Sequence, residues 1–116
     1  MAKKHMVDLD EMGWLIHDTS VKKGFYDVED IGDIHFVLSK LALIHSEVTE
    51  TLEAIRKDQG EDKIMEEIAD VAIRLLDFVQ LMKDTAYVSR HIKLSEVIEE
   101  KMKVNNARPQ KHGNLA

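Results

Sequence analysis

Four acids carry the clearest chemical pattern in this chain. Glu47 and Glu50 lie three residues apart in "HSEVTETLEAIRK", and Glu67 and Asp70 repeat that interval in "KIMEEIADVAIRLLDF". On an α-helix a step of three turns through about 60° and rises about 4.5 Å, so each pair shares a face. Val48 and Leu52 flank the first pair and Ile68 and Val71 the second, which places the acids at the margin of apolar stripes rather than on the opposite, solvated face. If the four carboxylates converge, charges about 4 Å apart repel by roughly 1–4 kcal/mol per pair, depending on the effective dielectric. Something positive must then sit among them. Oxygen donors without Cys or His suit a hard divalent cation, Mg²⁺ first and Mn²⁺ as its substitute. Either pair alone is more often the mark of a helix surface where acids meet Lys or Arg; its recurrence on an adjacent helix, at the margin of an apolar stripe, brings the two readings level.

A second constellation lies near the end of the chain. Lys101 and Asn105 are four apart and Arg108 follows three later, so a cation, an amide and a guanidinium project from one helix face. In "RPQKHG", Lys111 and His112 add further basic character. A frayed basic terminus has the same composition.

Helices have to position these groups. Val7, Leu9, Met12, Leu15 and Ile16 recur at helical spacing, predicting a short amphipathic helix from Asp8 to about Ser20. "KKGFYDVEDIGD" breaks it with two glycines. From Asp33, an apolar stripe from Ile34 through Val37, Leu41, Ile44, Val48 and Leu52 to Ile55 predicts a long helix, ended by "KDQGED". A second long helix is predicted from Glu61 to about Thr85. Its middle, "IADVAIRLLDFVQLM", is apolar around most of its circumference and needs cover on several sides, if necessary from a second subunit. A last helix runs from about Leu94 to Ala107, with Ser95 as a possible cap and Pro109 as its stop. Trp14, Met65, Met82 and Met102 read as core residues, and His45 as a packed or capping histidine. With no strand alternation or repeat, an all-α antiparallel bundle of about four helices, completed by dimerisation, is the economical architecture. The 116 residues make one domain, 1–116, with a short polar tail from about Pro109.

Composition narrows the function. A net charge of −6 argues against affinity for nucleic acid, which is gripped by clustered Lys and Arg. No cysteine is present, so disulfides and thiolate metal sites are excluded. No apolar run approaches the roughly 20 residues that span a bilayer, and the N-terminus lacks a signal-peptide core. A cytoplasmic protein with no membrane partner is the expectation.

Taken together, "LALIHSEVTETLEAIRK", "EEIADVAIRLLDF" and "EEKMKVNNARPQKHG" resemble the MazG-like group of the all-α nucleoside triphosphate pyrophosphohydrolases, over about Lys23 to Gly113. The resemblance implies a homodimer, or dimers paired into a homotetramer, that hydrolyses (deoxy)nucleoside triphosphates between the α and β phosphates to monophosphate and pyrophosphate. It implies Glu47, Glu50, Glu67 and Asp70 as Mg²⁺ ligands, and Lys101, Asn105 and Arg108 as triphosphate contacts. Phe25 and Tyr26, in the aromatic segment before the first acidic helix, are implied for the base pocket. A triphosphate carries about four negative charges, so an acidic bundle can hold it only through metal ions and a few cationic side chains.

One position departs from the pattern. Many members of the family it resembles carry E-E-x-x-E where this chain has Ser46 before Glu47. If the missing acid is the general base, Glu53, one turn after Glu50, is a candidate to replace it, or the reaction runs without a dedicated side-chain base. Asp77, seven after Asp70, either contacts the sugar or a metal-bound water or pairs with Arg74. The alternative function is a non-catalytic helical sensor of nucleotide or metal, which Ser46 leaves open. A carboxylate-bridged di-iron bundle would need E-x-x-H on two helices, and the chain has none.

Overall fold

The computed structural model describes residues 8–109, so Lys111 and His112 lie outside the described residues. Among the described residues there are four α-helices: α1 (Leu9–Lys22), α2 (Ile34–Arg56), α3 (Glu61–Asp84) and α4 (Leu94–Ala107). No strand occurs among the described residues.

Local chemistry explains most of the boundaries. The Asp8 side chain caps α1 by accepting from the Asp10 N–H at 3.2 Å, and the Asp33 carboxylate caps α2 by accepting from the N–H groups of His35 and Phe36. α3 starts at Gly60, whose φ of 94° favours a residue without a Cβ. No side chain caps it, but Glu61 and Asp62 place negative charge beside its exposed N–H groups. Beyond the C-caps of α2 and α3 the chain turns through positive φ at Asp58 and Ala86.

α4 starts differently from the expectation. Ser95 is not its cap: the helix begins one residue earlier, at Leu94, and its N-cap Lys93 makes no side-chain bond. Asp10, reaching across from α1, accepts from the Leu94 N–H at 2.7 Å, the Ser95 N–H at 3.1 Å and the Ser95 hydroxyl at 2.7 Å. A long-range cap of this kind leaves no local signature in sequence.

α3 is the central element, with α2 on one side and α1 on the other, each antiparallel to it. Gly13 lets α1 come close. A Cβ there would stand 3.3 Å from the Leu76 carbonyl oxygen and 3.5 Å from Gln80 Nε2. The core is small: Tyr26, Val37 and Leu81 are buried, with Ile31, Phe36, Phe78 and Met82 packed around them. Edge-on aromatic contacts run from His17 to Tyr26 at 4.8 Å and from Tyr26 to Phe36 at 5.8 Å.

Met82 joins this core as expected, but Trp14, Met65 and Met102 do not, being 58%, 61% and 57% exposed. Val48, Leu52, Ile55 and Ile68 are also exposed, and with Thr51 and Val71 they line an open apolar groove between α2 and α3. The radius of gyration, 17.0 Å, exceeds the roughly 13 Å of a compact chain of this length. One chain therefore leaves much of its apolar surface uncovered.

Candidate metal-binding cleft

Antiparallel packing of α2 on α3 brings three of the four motif acids together. One carboxylate oxygen each from Glu47, Glu67 and Asp70 can be chosen so that all lie within 4.8 Å of one another. Glu67 is buried although charged, and its Oε2 meets Lys63 Nζ at 3.0 Å. Glu47 Oε2 accepts from Arg74 Nε at 3.1 Å. Each glutamate thus commits one oxygen to a cation and keeps the other. The remaining motif acid, Glu50, is exposed on α2 and stands outside the trio. Glu53 also stands outside, its carboxylate lying 3.7 Å from Arg56 and 3.8 Å from Lys57 on its own helix.

Beside the trio lies a cleft of about 220 Å³ lined by Ser20, Phe25, Glu47, Asp70, Ile73, Arg74 and Asp77. All three packed helices and the connection after α1 contribute to it. Phe25 stands at the wall, 54% exposed. Lys40 Nζ donates to the Phe25 carbonyl at 3.1 Å and rests over the Tyr26 and Phe36 rings at 4.6 and 5.3 Å, fixing this connection against α2. Burial holds the Lys40 ammonium below its ordinary pKa, against the opposing pull of Asp77.

Two expectations are corrected here. Tyr26 does not face the cleft with Phe25. Its ring is buried in the core, and its hydroxyl donates to Asp77 Oδ2 at 2.9 Å. Asp77 does not pair with Arg74, whose guanidinium is taken by Glu47. Asp77 Oδ1 instead meets His17 Nδ1 at 2.6 Å. The other nitrogen of the same ring, His17 Nε2, lies 2.8 Å from Asp84 Oδ2, and Asp84 Oδ1 accepts from Arg90 at 2.7 Å.

Charges in this network support one another. Burial alone would pull the His17 pKa down, but the hydrogen bonds and charges of Asp77 and Asp84 outweigh it and raise the pKa above the ordinary imidazole value. Burial would raise Asp77, and the bonds from His17 and Tyr26 overcome it and lower the carboxyl below the usual range. Asp84 moves down in the same way, against burial, through Arg90 and His17. The Tyr26 phenol is pushed far up, first by burial and then by the neighbouring Asp77 charge.

His17 was not legible as a site residue in sequence. The available signal was on α3, where Asp77 and Asp84 lie seven apart and so share the face that α1 covers. Lys101, Asn105 and Arg108 are all exposed on or just beyond α4, which packs on α1, and none of them lines the cleft.

In this all-α chain, carboxylates from two antiparallel helices converge beside a guanidinium. The family model described as MazG nucleotide pyrophosphohydrolase domain matches residues 29–112, and the chain belongs to that family. Comparison with curated proteins gave no match, and neither did comparison with solved structures. Among the described residues no helix is long and apolar enough to cross a membrane.

Proposed function

We propose that the protein hydrolyses nucleoside triphosphates between the α and β phosphates, in a reaction dependent on Mg²⁺, releasing a monophosphate and pyrophosphate. The observation that carries this is the convergence of Glu47, Glu67 and Asp70 at the edge of a cleft walled by Arg74 and Phe25, in a chain of this family. The donor set fits the ion: three carboxylates, no nitrogen or sulfur, and an uncommitted oxygen on each glutamate. When bound, Mg²⁺ supplies charge neutralisation at phosphoryl oxygens and acidifies a water.

The rest falls to the chain's own side chains. Glu47, Glu67 and Asp70 hold the ion, with exposed Glu50 available as a fourth donor. Lys63 and Arg74 balance the acids and keep two of them oriented before an ion arrives. Arg74 also offers the remaining guanidinium donors to phosphoryl oxygens at the cleft. Phe25 presents a flat apolar face against which a base can stack. Asp77, with both oxygens held from behind, accepts from a donor on the nucleotide.

One subunit makes only part of such a site. Its cleft of about 220 Å³ is below the usual size of small-molecule pockets, roughly 300–1,000 Å³. The apolar groove of Val48, Leu52, Ile55 and Ile68 offers a surface for a second copy. Lys101, Asn105 and Arg108, free of the cleft in their own chain, serve as triphosphate contacts in the assembled protein. Pyrophosphate release from a panel of canonical, deoxy and modified nucleoside triphosphates, with Mg²⁺, Mn²⁺ or EDTA, tests the reaction. Metal-dependent release with a monophosphate product is expected, and silence across the panel from folded protein rejects it.

A further inference from the structure

The contacts around His17 are unusual for a residue whose only task is to pack α1 on α3. A neutral imidazole has one N–H and one lone pair. Here both ring nitrogens face carboxylate oxygens, Asp77 Oδ1 at 2.6 Å and Asp84 Oδ2 at 2.8 Å. A neutral ring would point a lone pair at one of those anions, so the arrangement requires the imidazolium, donating on both sides.

Each anion is also held on its other oxygen: Asp77 Oδ2 by the Tyr26 hydroxyl, and Asp84 Oδ1 by Arg90. The result is a chain of alternating charge from Arg90 through Asp84 and His17 to Asp77, which the neutral Tyr26 hydroxyl also holds and which opens on the cleft. Its side chain is 14% exposed, and that part is what a ligand meets. Among the described groups facing His17, Asp77 and Asp84 come from α3 and Tyr26 from the connection after α1. Arg74 and Lys40 act on the network through Asp77.

We propose that His17 is a positioning residue for the cleft: clamped as an imidazolium between Asp77 and Asp84, it fixes the Asp77 carboxylate as an ionised acceptor for a hydrogen-bond donor of the nucleotide, such as a sugar hydroxyl. This role rests on the nucleotide reading of the cleft. A carboxylate anchored by two donors from behind cannot swing away or take up a proton near neutral pH, so its remaining lone pairs are presented to the ligand at little entropic cost. His17 touches no ligand and acts only through Asp77.

Two measurements on the full chain test this. Long-range ¹H–¹⁵N spectra of the ring should show both His17 nitrogens protonated at pH 7, and a neutral tautomer overturns the clamp. In Mg²⁺-dependent pyrophosphate release, His17→Gln should raise KM about tenfold and change kcat less than about threefold, as loss of uniform substrate binding does. Asp77→Asn should do the same, and the double variant should be no worse than either single. Tyr26→Phe keeps the ring and removes only the hydroxyl that holds Asp77, so it carries the test if His17→Gln fails to fold by circular dichroism. Its KM should rise in the same direction by a smaller factor. Unchanged KM in a folded variant, or additive losses in the double variant, overturns the positioning role alone. Absence of turnover by the unaltered protein overturns the nucleotide reading and this role with it.

Discussion

Replacing Asp10 by alanine should release α4 while leaving the rest of the bundle folded. The Asp10 carboxylate takes three donors from the start of α4, the N–H groups of Leu94 and Ser95 and the Ser95 hydroxyl, and α4 has no side-chain cap of its own. Loss of a capping side chain costs about 0.5–2 kcal/mol, and the bond from the Ser95 hydroxyl adds roughly another 1 kcal/mol, the net worth of a typical intramolecular hydrogen bond. Lys83 Nζ, little exposed and 4.0 Å from Asp10 Oδ1, also loses its acid. A total near 2 kcal/mol corresponds to a factor of about 30 in the docking equilibrium. Amide hydrogen exchange reads this directly, with protection at Val97 to Met102 falling about 30-fold while α3 amides change little. Asp10→Asn, which keeps one acceptor oxygen, should fall between the two. Protection of α4 within about threefold of the parent in Asp10→Ala would refute the claim that this one side chain anchors the helix. Because α4 carries Lys101 and Asn105, the same variant should raise KM for nucleotide if these residues meet the triphosphate.

Asp70→Asn and Glu67→Gln should each weaken Mg²⁺ binding, measured by calorimetry, at least about tenfold, with Glu50→Gln the mildest because Glu50 stands outside the converged trio. Stability should vary with pH in two opposite senses. Asp10, Asp77 and Asp84 have folded values below 3.8, so their contribution is present above that value and is lost as pH falls through the folded values. His17 is raised above 6.5, so its contribution is complete below 6.5 and is lost as pH rises through the folded value. Urea unfolding as a function of pH should therefore show a plateau between these limbs, and His17→Gln should remove the alkaline one. Leu52→Asp, in the apolar groove, should lower the mass measured by light scattering if a second copy covers that face. Ala86→Gly should stabilise by roughly 1 kcal/mol in urea unfolding, because Ala86 has φ of 64°, where a Cβ is strained.

The parts of the fold visible in sequence were those governed by short-range physics. Apolar spacing, the glycine-bearing breaks and Pro109 mark all four helices to within about two residues, because periodicity and chain breakers act on their immediate neighbours. The two acidic motifs on α2 and α3 were legible for the same reason: a spacing of three fixes a shared face, and a short loop makes the helices neighbours. Contacts made across the bundle were not legible. Asp10 capping α4 spans 84 residues, and His17 binding Asp77 spans 60. Arg74 could be assigned to Asp77, three residues away, but Glu47 on the facing helix wins it. Apolarity alone places Trp14, Met65 and Met102 in the core, and that rule fails in a chain too small to cover its own surface.

The central helix shows why the site lies where it does. Asp70, Arg74, Asp77, Leu81 and Asp84 recur along α3 at steps of three and four, so one stripe of the helix faces the seam where α1 and α2 meet it. Toward Asp84 that seam is closed by Tyr26 and Leu81, and charges survive there only as a paired network with His17 and Arg90. Toward Asp70 the seam opens as the cleft walled by Phe25, so the acids stay partly open and balance is supplied by Arg74 and Lys63 from α3 itself. Acidic clusters cost stability unless a cation offsets them. At the closed end His17 and Arg90 offset the acids within the fold itself, whereas at the open end each ion-paired glutamate keeps an oxygen to spare. The same stripe therefore carries a fully paired network at one end and, at the other, the partly open carboxylates to which the proposed function assigns the metal ion.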